Sequence, residues 1–223
     1  MITIIIPAYN NSYLTAMILN DLAPASSEYE IVLVDDGSTD DTAKVVQQFL
    51  GRVKYACHSK NLGLPYAWNF GINYSTGDPI IFLNNDVRVH YLKALDILAQ
   101  ATEDKYIVGP VIRSENPLTE FRGQYLRYVD GWCFAVPRKI FDDIGKFDTD
   151  FAPGSFEDAE FCQRALANGY ELKAVPELLG MMTHAKSKTF SKYHNMEDLN
   201  KRNKEIFLTK METLWGIGSA LRS

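Results

Sequence analysis

An open α/β fold, with a mostly parallel twisted sheet flanked by helices, is the architecture this sequence predicts. Three observations lead there. The segments "ITIII" and "EIVLVD" are nearly continuous β-branched runs, as expected of strands covered on both faces. Each is followed by a stretch with apolar residues at helical spacing. The alternation then continues towards residue 101, and right-handed crossovers turn such a pattern into a parallel sheet.

In chain order, the first strand is followed by a helix over Ser12 to Leu22, with Leu14, Ile18 and Leu22 on one side. The second strand leads to a helix over Asp40 to Leu50 through Ala43, Val46 and Leu50, which Ser38 and Thr39 are placed to cap. "VKYAC" reads as a short strand, "GLPYAWNFGINYS" as a helix, "PIIFL" as another buried strand, and Tyr91 to Ala101 as a helix. Beyond residue 105 the pattern loosens. "YIVGPVI" and "GWCFAVP" suggest antiparallel strands, separated by a polar loop from Ser114 to Pro117, before a short helix near Arg138 to Ile144. "FEDAEFCQRALANGYEL" reads as a helix stopped at Asn168-Gly169, then a strand. The segment from Asn195 to Trp215 is a charged helix with Leu199, Ile206, Met211 and Leu214 available for docking.

Composition narrows the function. With 223 residues, 46% of them hydrophobic, the chain can bury a substantial core, which argues against disorder. A net charge of -5 gives no reason to expect a nucleic acid partner, because phosphate backbones reward a basic surface. Cys57, Cys133 and Cys162 are odd in number and widely spaced, so neither a disulfide framework nor a cysteine zinc site is indicated, and a reducing compartment fits. The apolar run Ile2 to Pro7 is too short for a signal segment, and no apolar stretch approaches the ~20 residues of a membrane span. The expectation is a cytoplasmic protein, with peripheral contact at the inner membrane surface left open.

Ligands of open α/β sheets bind beyond the carboxyl ends of the strands. Three polar strand ends qualify here: "PAYN" (Pro7 to Asn10), "VDDGSTDDT" (Val34 to Thr42) and "NND" (Asn84 to Asp86). Asp35 and Asp36 suit an acidic turn before a helix, or hydrogen bonding to a base or ribose; an acidic pair would repel a phosphate. Neither GxGxxG nor GxxxxGK[ST] occurs, which counts against a dinucleotide-binding enzyme and a P-loop NTPase. Asn84-Asn85-Asp86 is either a turn whose side chains satisfy backbone groups, or a carboxylate exposed to hold a hard divalent cation against a diphosphate.

The ordered segments "IIIPAYN", "IVLVDDGSTDDT", "NLGLPYAWNFGI", "TGDPIIFLNND" and "GKFDTDFAPGSFEDAEFCQRALANGY" together resemble the inverting family 2 glycosyltransferases of the GT-A fold. The resemblance implies a GT-A domain over residues 1–194, with a nucleotide-binding half (1–105), an acceptor-side half (106–194) and a C-terminal helical extension over 195–223. It implies a nucleotide-sugar donor, with a UDP-sugar preferred, Mn²⁺ or Mg²⁺, and a glycan or glycoconjugate acceptor. It does not specify the sugar, the linkage or the oligomeric state.

Residue by residue, Tyr9 resembles the aromatic stacked on the donor base and Asp36 the carboxylate reading base or ribose, with Pro7 and Ala8 offering backbone. Asn61, Gly63 and Asn69 match the donor-side loop and following helix; their plainer reading is a turn and a helix face. "NND" stands at the place of the family's DxD and departs from it, since Asn84 replaces the first aspartate and removes a charge. Asp86 keeps the metal-ligand position, and Asn85 is expected on ribose or diphosphate. His184 resembles a C-terminal metal or diphosphate contact; its plainer reading is structural. Asp158 in "SFEDAEF" resembles the general base and Glu157 a group orienting acceptor or donor sugar, while Ser155 and Asp158 also have capping-box-like spacing. Trp132 reads as a sugar platform or as core. Lys186, Lys188 and Lys192 read as solvated lysines or as cations closing over the diphosphate. Two other classes stay open, a noncatalytic nucleotide-sugar-binding module and a sugar nucleotidyltransferase; pyrophosphate release would mark the latter.

Overall fold

The computed structural model describes residues 1–25, 27–185 and 196–216. Its strands are β1 (Ile2–Ala8), β2 (Tyr29–Asp35), β3 (Lys54–Cys57), β4 (Ile80–Leu83), β5 (Val87–Val89), β6 (Tyr106–Gly109), β7 (Ile112–Arg113), β8 (Glu120–Phe121), β9 (Gln124–Tyr125), β10 (Tyr128–Val129), β11 (Cys133–Val136), β12 (Glu171–Ala174) and β13 (Met182–His184). The helices are α1 (Ser12–Leu22), α2 (Thr42–Gln47), α3 (Leu64–Tyr74), α4 (Lys93–Ala101), α5 (Arg138–Ile144), α6 (Glu157–Ala167) and α7 (Met196–Trp215). The central sheet has the order β12-β6-β11-β4-β1-β2-β3, and only β11 runs against its neighbours. The ends of β1, β2 and β4 therefore open on the same edge of the sheet.

Strand alternation sends side chains to two cores. Ile4, Ile6, Leu33, Ile81 and Leu83 pack with α1 and α4 on one face, while Ile5, Val32, Val34 and Phe82 pack with α3 on the other. On α3, Gly71 lets the helix approach β1: a Cβ there would lie 2.6 Å from Ile5 Cγ2. Among the described residues no helix is long and apolar enough to cross a membrane.

The turn at Asn84-Asn85-Asp86 changes sheets. Asn84 N still donates to Trp132 O at 3.0 Å, then Val87 N closes back onto Asn84 O at 3.1 Å, and β5 pairs with β13 instead of the central sheet. Two local expectations are corrected. The second helix begins at Thr42 and ends at Gln47, because Asp40 Oδ1 accepts from Thr42 N at 3.0 Å. Ser38 and Thr39 do not cap it; Ser38 Oγ accepts from Asn10 N (2.8 Å), and Thr39 N donates to Asn10 Oδ1 (2.9 Å), tying the first strand end to the second. Nor do Ser155 and Asp158 form a capping box. Phe156 precedes α6 with φ 76° and makes no side-chain cap, while Ser155 Oγ donates to Asn200 Oδ1 at 2.8 Å.

Helix α7 packs on α6, burying Asn203, Phe207 and Met211 at i, i+4 and i+8. Of the expected docking residues only Met211 is fully buried; Ile206 and Leu214 are partly covered. Asn203 Nδ2 donates to Phe151 O (2.8 Å), Gly154 O (2.9 Å) and Ser155 O (2.9 Å), holding the turn that leads into α6.

Away from the strand ends, Glu30 fastens the sheet. It accepts from Thr3 Oγ1, Lys54 Nζ and the Thr76 and Gly77 amides. Burial opposes its ionisation, but these four donors outweigh it and hold the carboxyl down at about 2. The folded-state pKa is depressed, so this contribution is present above the ordinary value and is lost as pH falls from about 4 towards about 2. Glu30→Gln is expected to cost about 1–3 kcal/mol at pH 7 and to flatten the acid limb of a urea-unfolding pH series. An unchanged acid limb would refute the assignment.

Candidate active site

Two cavities adjoin at the carboxyl edge of the sheet. The first is lined by Pro7, Ala8, Tyr9, Asp36, Asn61, Gly63, Leu64, Ala67, Asn84, Asn85, Asp86, Pro153 and His184. The second includes Trp68, Tyr128, Asp130, Gly131, Trp132, Phe156, Glu157 and Asp158. Leu64, Asn84 and His184 line both and form their seam. All but one of the site residues singled out in the sequence thus lie on one continuous cleft. Asn69 is the exception. Its amide is clamped to the backbone of Phe147, donating to the carbonyl at 2.8 Å and accepting from the amide at 3.0 Å, so it holds α3 to the loop before α6.

In the first cavity, the buried carboxylate of Asp36 organises the loop that leads into α3. Oδ1 accepts from Leu62 N at 3.0 Å and Oδ2 from Gly63 N at 2.7 Å, and His58 Nδ1 lies 2.7 Å from Oδ1. Gly63, at φ 104°, has no room for a side chain, since a Cβ would meet Pro153 Cα at 2.6 Å. Asn85 is buried, and its Nδ2 donates to Thr15 Oγ1 at 3.1 Å. Tyr9 is half-buried at the cavity wall. His58, at the end of β3, was not singled out in the sequence; its place directly after a strand was the available signal.

The β5–β13 pairing sets His184 opposite Val87, and Ala185 N donates to Asp86 O at 3.0 Å. His184 Nε2 consequently lies 3.1 Å from Asp86 Oδ1. Trp132 stacks on the imidazole, with ring centroids 5.1 Å apart and planes at 6°. One face of the expected sugar platform is therefore covered by His184, and Trp132 acts as the wall that orients it. Among the described residues no group of three or more His, Cys, Asp or Glu side chains could hold a metal. A carboxylate and an imidazole in contact on a cavity wall nonetheless fit Mn²⁺ or Mg²⁺, which take few protein ligands and complete their shell with phosphate oxygens and water. Lys186, Lys188 and Lys192 lie outside the described residues.

In the second cavity, Asp158 and Glu157 open α6. Asp158 Oδ2 accepts from Gly131 N (2.9 Å) and Oδ1 from Ala159 N (2.8 Å). Burial first, then the neighbouring charge of Asp130, lifts the Asp158 carboxyl above the ordinary carboxylate range. Asp130 is itself paired with Arg113, whose Nε donates to it at 2.9 Å. Glu157 is 4% exposed, and its Oε2 has no hydrogen-bond partner. Burial and the Asp158 charge push its carboxyl up as well.

A raised carboxyl pKa means that the folded state binds the proton more tightly than the unfolded state, so stability falls as pH rises through the folded value. Glu157→Gln removes that charging cost. The variant is expected to melt higher than wild type above neutral pH, by about 2–4 °C per kcal/mol regained, and to match it at acid pH where Glu157 is already neutral. Equal melting temperatures across the whole pH range would contradict this.

Comparisons with known proteins identify the family and the fold. The family model described as Glycosyl transferase family 2 matches residues 3–160. An undecaprenyl-phosphate 4-deoxy-4-formamido-L-arabinose transferase of Edwardsiella ictaluri is 29% identical over 152 residues, 65% of this chain and 46% of that protein. Glycosyltransferase GlyG of Streptococcus pneumoniae is 27% identical over 150 residues, covering 65% of this chain and 48% of its own length. The matches thus span about half of these curated relatives. Among solved structures, the Pyrobaculum calidifontis mannosyltransferase PcManGT, in complex with GDP-Man and Mn²⁺, superposes with a TM-score of 0.66 at 16% identity, over 100% of this chain and 76% of that one. S. aureus TarS 1-349 with UDP-GlcNAc gives 0.60 at 18% identity, over 96% and 72%. The fold is that of the GT-A glycosyltransferases.

Proposed function

This chain belongs to glycosyl transferase family 2, and from that premise we propose that it moves a sugar from a nucleoside-diphosphate sugar, preferably a UDP-sugar, to a hydroxyl of a glycan or glycoconjugate with inversion. The observation that carries the reading is the seam: a cavity walled by Tyr9, Asp36, Asp86 and His184 opens into one walled by Asp158.

The chemistry follows from the placement. Tyr9 offers a flat face to the base, and the acidic Asp36 with its loop suits the imide N–H of uracil. The diphosphate lies at the Asp86 and His184 wall. The acceptor hydroxyl oxygen attacks the anomeric carbon opposite the diphosphate; its proton passes to Asp158, and the bond from carbon to the diphosphate oxygen breaks, releasing the nucleoside diphosphate. Asp86, with His184, would hold Mn²⁺ or Mg²⁺, which when bound supplies positive charge for the departing diphosphate. The name of the Edwardsiella relative includes undecaprenyl-phosphate, and a lipid-borne acceptor of that kind would place the reaction at a membrane surface.

The test is turnover of a panel of UDP-, GDP- and dTDP-sugars against glycan and glycoconjugate acceptors, with the product anomer read by NMR. Release of nucleoside diphosphate with an inverted glycoside is expected. Donor binding without turnover would favour the binding module, and pyrophosphate release would favour nucleotidyl transfer. In the same assay Asp86→Ala is expected to raise the Mn²⁺ concentration needed for half-maximal rate by about tenfold or more, tenfold corresponding to about 1.4 kcal/mol. An unshifted Mn²⁺ titration would remove Asp86 from the metal site.

A further inference from the structure

Among the described residues, three buried side-chain polar atoms lack a hydrogen-bond partner: Trp68 Nε1, Glu157 Oε2 and Trp215 Nε1. Trp68 and Glu157 line the same cavity, beside Asp158; Trp215 does not. Unsatisfied buried polar groups are costly and rare, so two on one wall call for a common explanation. Trp68 is fully buried, wedged against Phe82, Phe134 and Phe147 with ring centroids 5.6, 5.4 and 4.7 Å away. Gly131 shows how near its ring comes to the base: a Cβ built there would meet Trp68 Cη2 at 3.2 Å and Asp158 Oδ2 at 3.0 Å.

We infer that Trp68 and Glu157 form a hydroxyl-reading pair for the sugar ring of the donor, with the indole N–H donating to a ring hydroxyl that in turn donates to the Glu157 carboxylate. The two groups are complementary: indole nitrogen can only donate, an ionised carboxylate can only accept, and a hydroxyl does both. Burial that favours a neutral Glu157 before binding leaves the pairing intact, because a carboxylic acid can also donate to a hydroxyl. The donor is favoured over the acceptor by the helix. Leu64, at the seam, and Trp68 stand four residues apart on α3 and so share one face, about 6 Å apart along the helix. A sugar whose diphosphate lies at the seam extends along that turn towards Trp68.

This inference rests on the glycosyltransferase reading, and its test separates the two. Calorimetric titration with Mn²⁺ compares UDP-glucose, UDP-N-acetylglucosamine and GDP-mannose with bare UDP and GDP. Trp68→Phe, which keeps the ring and removes the donor, and Glu157→Leu, which removes the acceptor, should each reduce the advantage of the best nucleotide sugar over its own diphosphate about tenfold, with diphosphate affinity unchanged. Should Trp68→Phe fail to fold, Glu157→Leu carries the test alone. An unchanged advantage overturns the pair, as does an equal loss of bare diphosphate binding, which would make the residues structural. An unchanged advantage with a raised acceptor KM would assign the hydroxyl to the acceptor and likewise overturn it. Wild-type protein that binds none of the five ligands would sink the donor reading itself.

Discussion

Asp158→Asn is expected to lower transferase turnover by about 10²–10⁴-fold, the range for loss of a positioned general base, while donor affinity stays within about twofold of wild type. The amide keeps the size of the side chain and still accepts one of the two amide hydrogen bonds, from Gly131 or Ala159, but it cannot take the acceptor's proton. The wild-type pH profile gives an independent check. Asp158 must be ionised to act, and burial with the Asp130 charge raises its pKa, so kcat/KM should climb with pH through a midpoint above the ordinary carboxylate value of about 3.9. Neutralising Asp130 should move that midpoint down. Full activity in Asp158→Asn, or a midpoint at the ordinary value, would reject the base assignment.

Asn203→Ala should be the most damaging substitution outside the cleft. Its single amide nitrogen serves three backbone carbonyls, those of Phe151, Gly154 and Ser155. The turn it holds is costly, since Ser155 and Phe156 both adopt positive φ, at 85° and 76°, a conformation disfavoured for side-chain-bearing residues by about 1–3 kcal/mol each. Removing the amide leaves buried carbonyls without partners and releases that turn. The expected loss is about 3 kcal/mol in urea unfolding, with a fall in kcat at temperatures where the variant remains folded, because Glu157 and Asp158 follow directly. Wild-type kcat in a destabilised variant would confine Asn203 to stability.

Much of the first half was legible because its strands are covered on both faces and say so in their composition. β1, β2 and β4 fall where the β-branched runs lie, and their polar ends meet as open-sheet geometry requires. The family resemblance carried Asp36, Asp86 and Asp158 to the cleft. What stayed hidden depended on partners distant in sequence. Asn69 reads as a donor-side residue until Phe147, 78 positions on, takes both ends of its amide. Trp132 reads as a platform or as core, and only the β5–β13 pairing shows that His184 lies on its ring. Trp68 sits on an apolar helix face and looks like core, and only the missing partner of its nitrogen marks it.

The stretch matched by the family model ends at Glu160, inside α6, whereas the amide that fastens the entry to that helix comes from position 203. The matched stretch is therefore not a self-sufficient module around Asp158, the proposed base. Grafting another relative's tail onto it would exchange the buttress behind Asp158 along with whatever substrate preference the tail carries, so hybrids should be judged on rate as well as on selectivity.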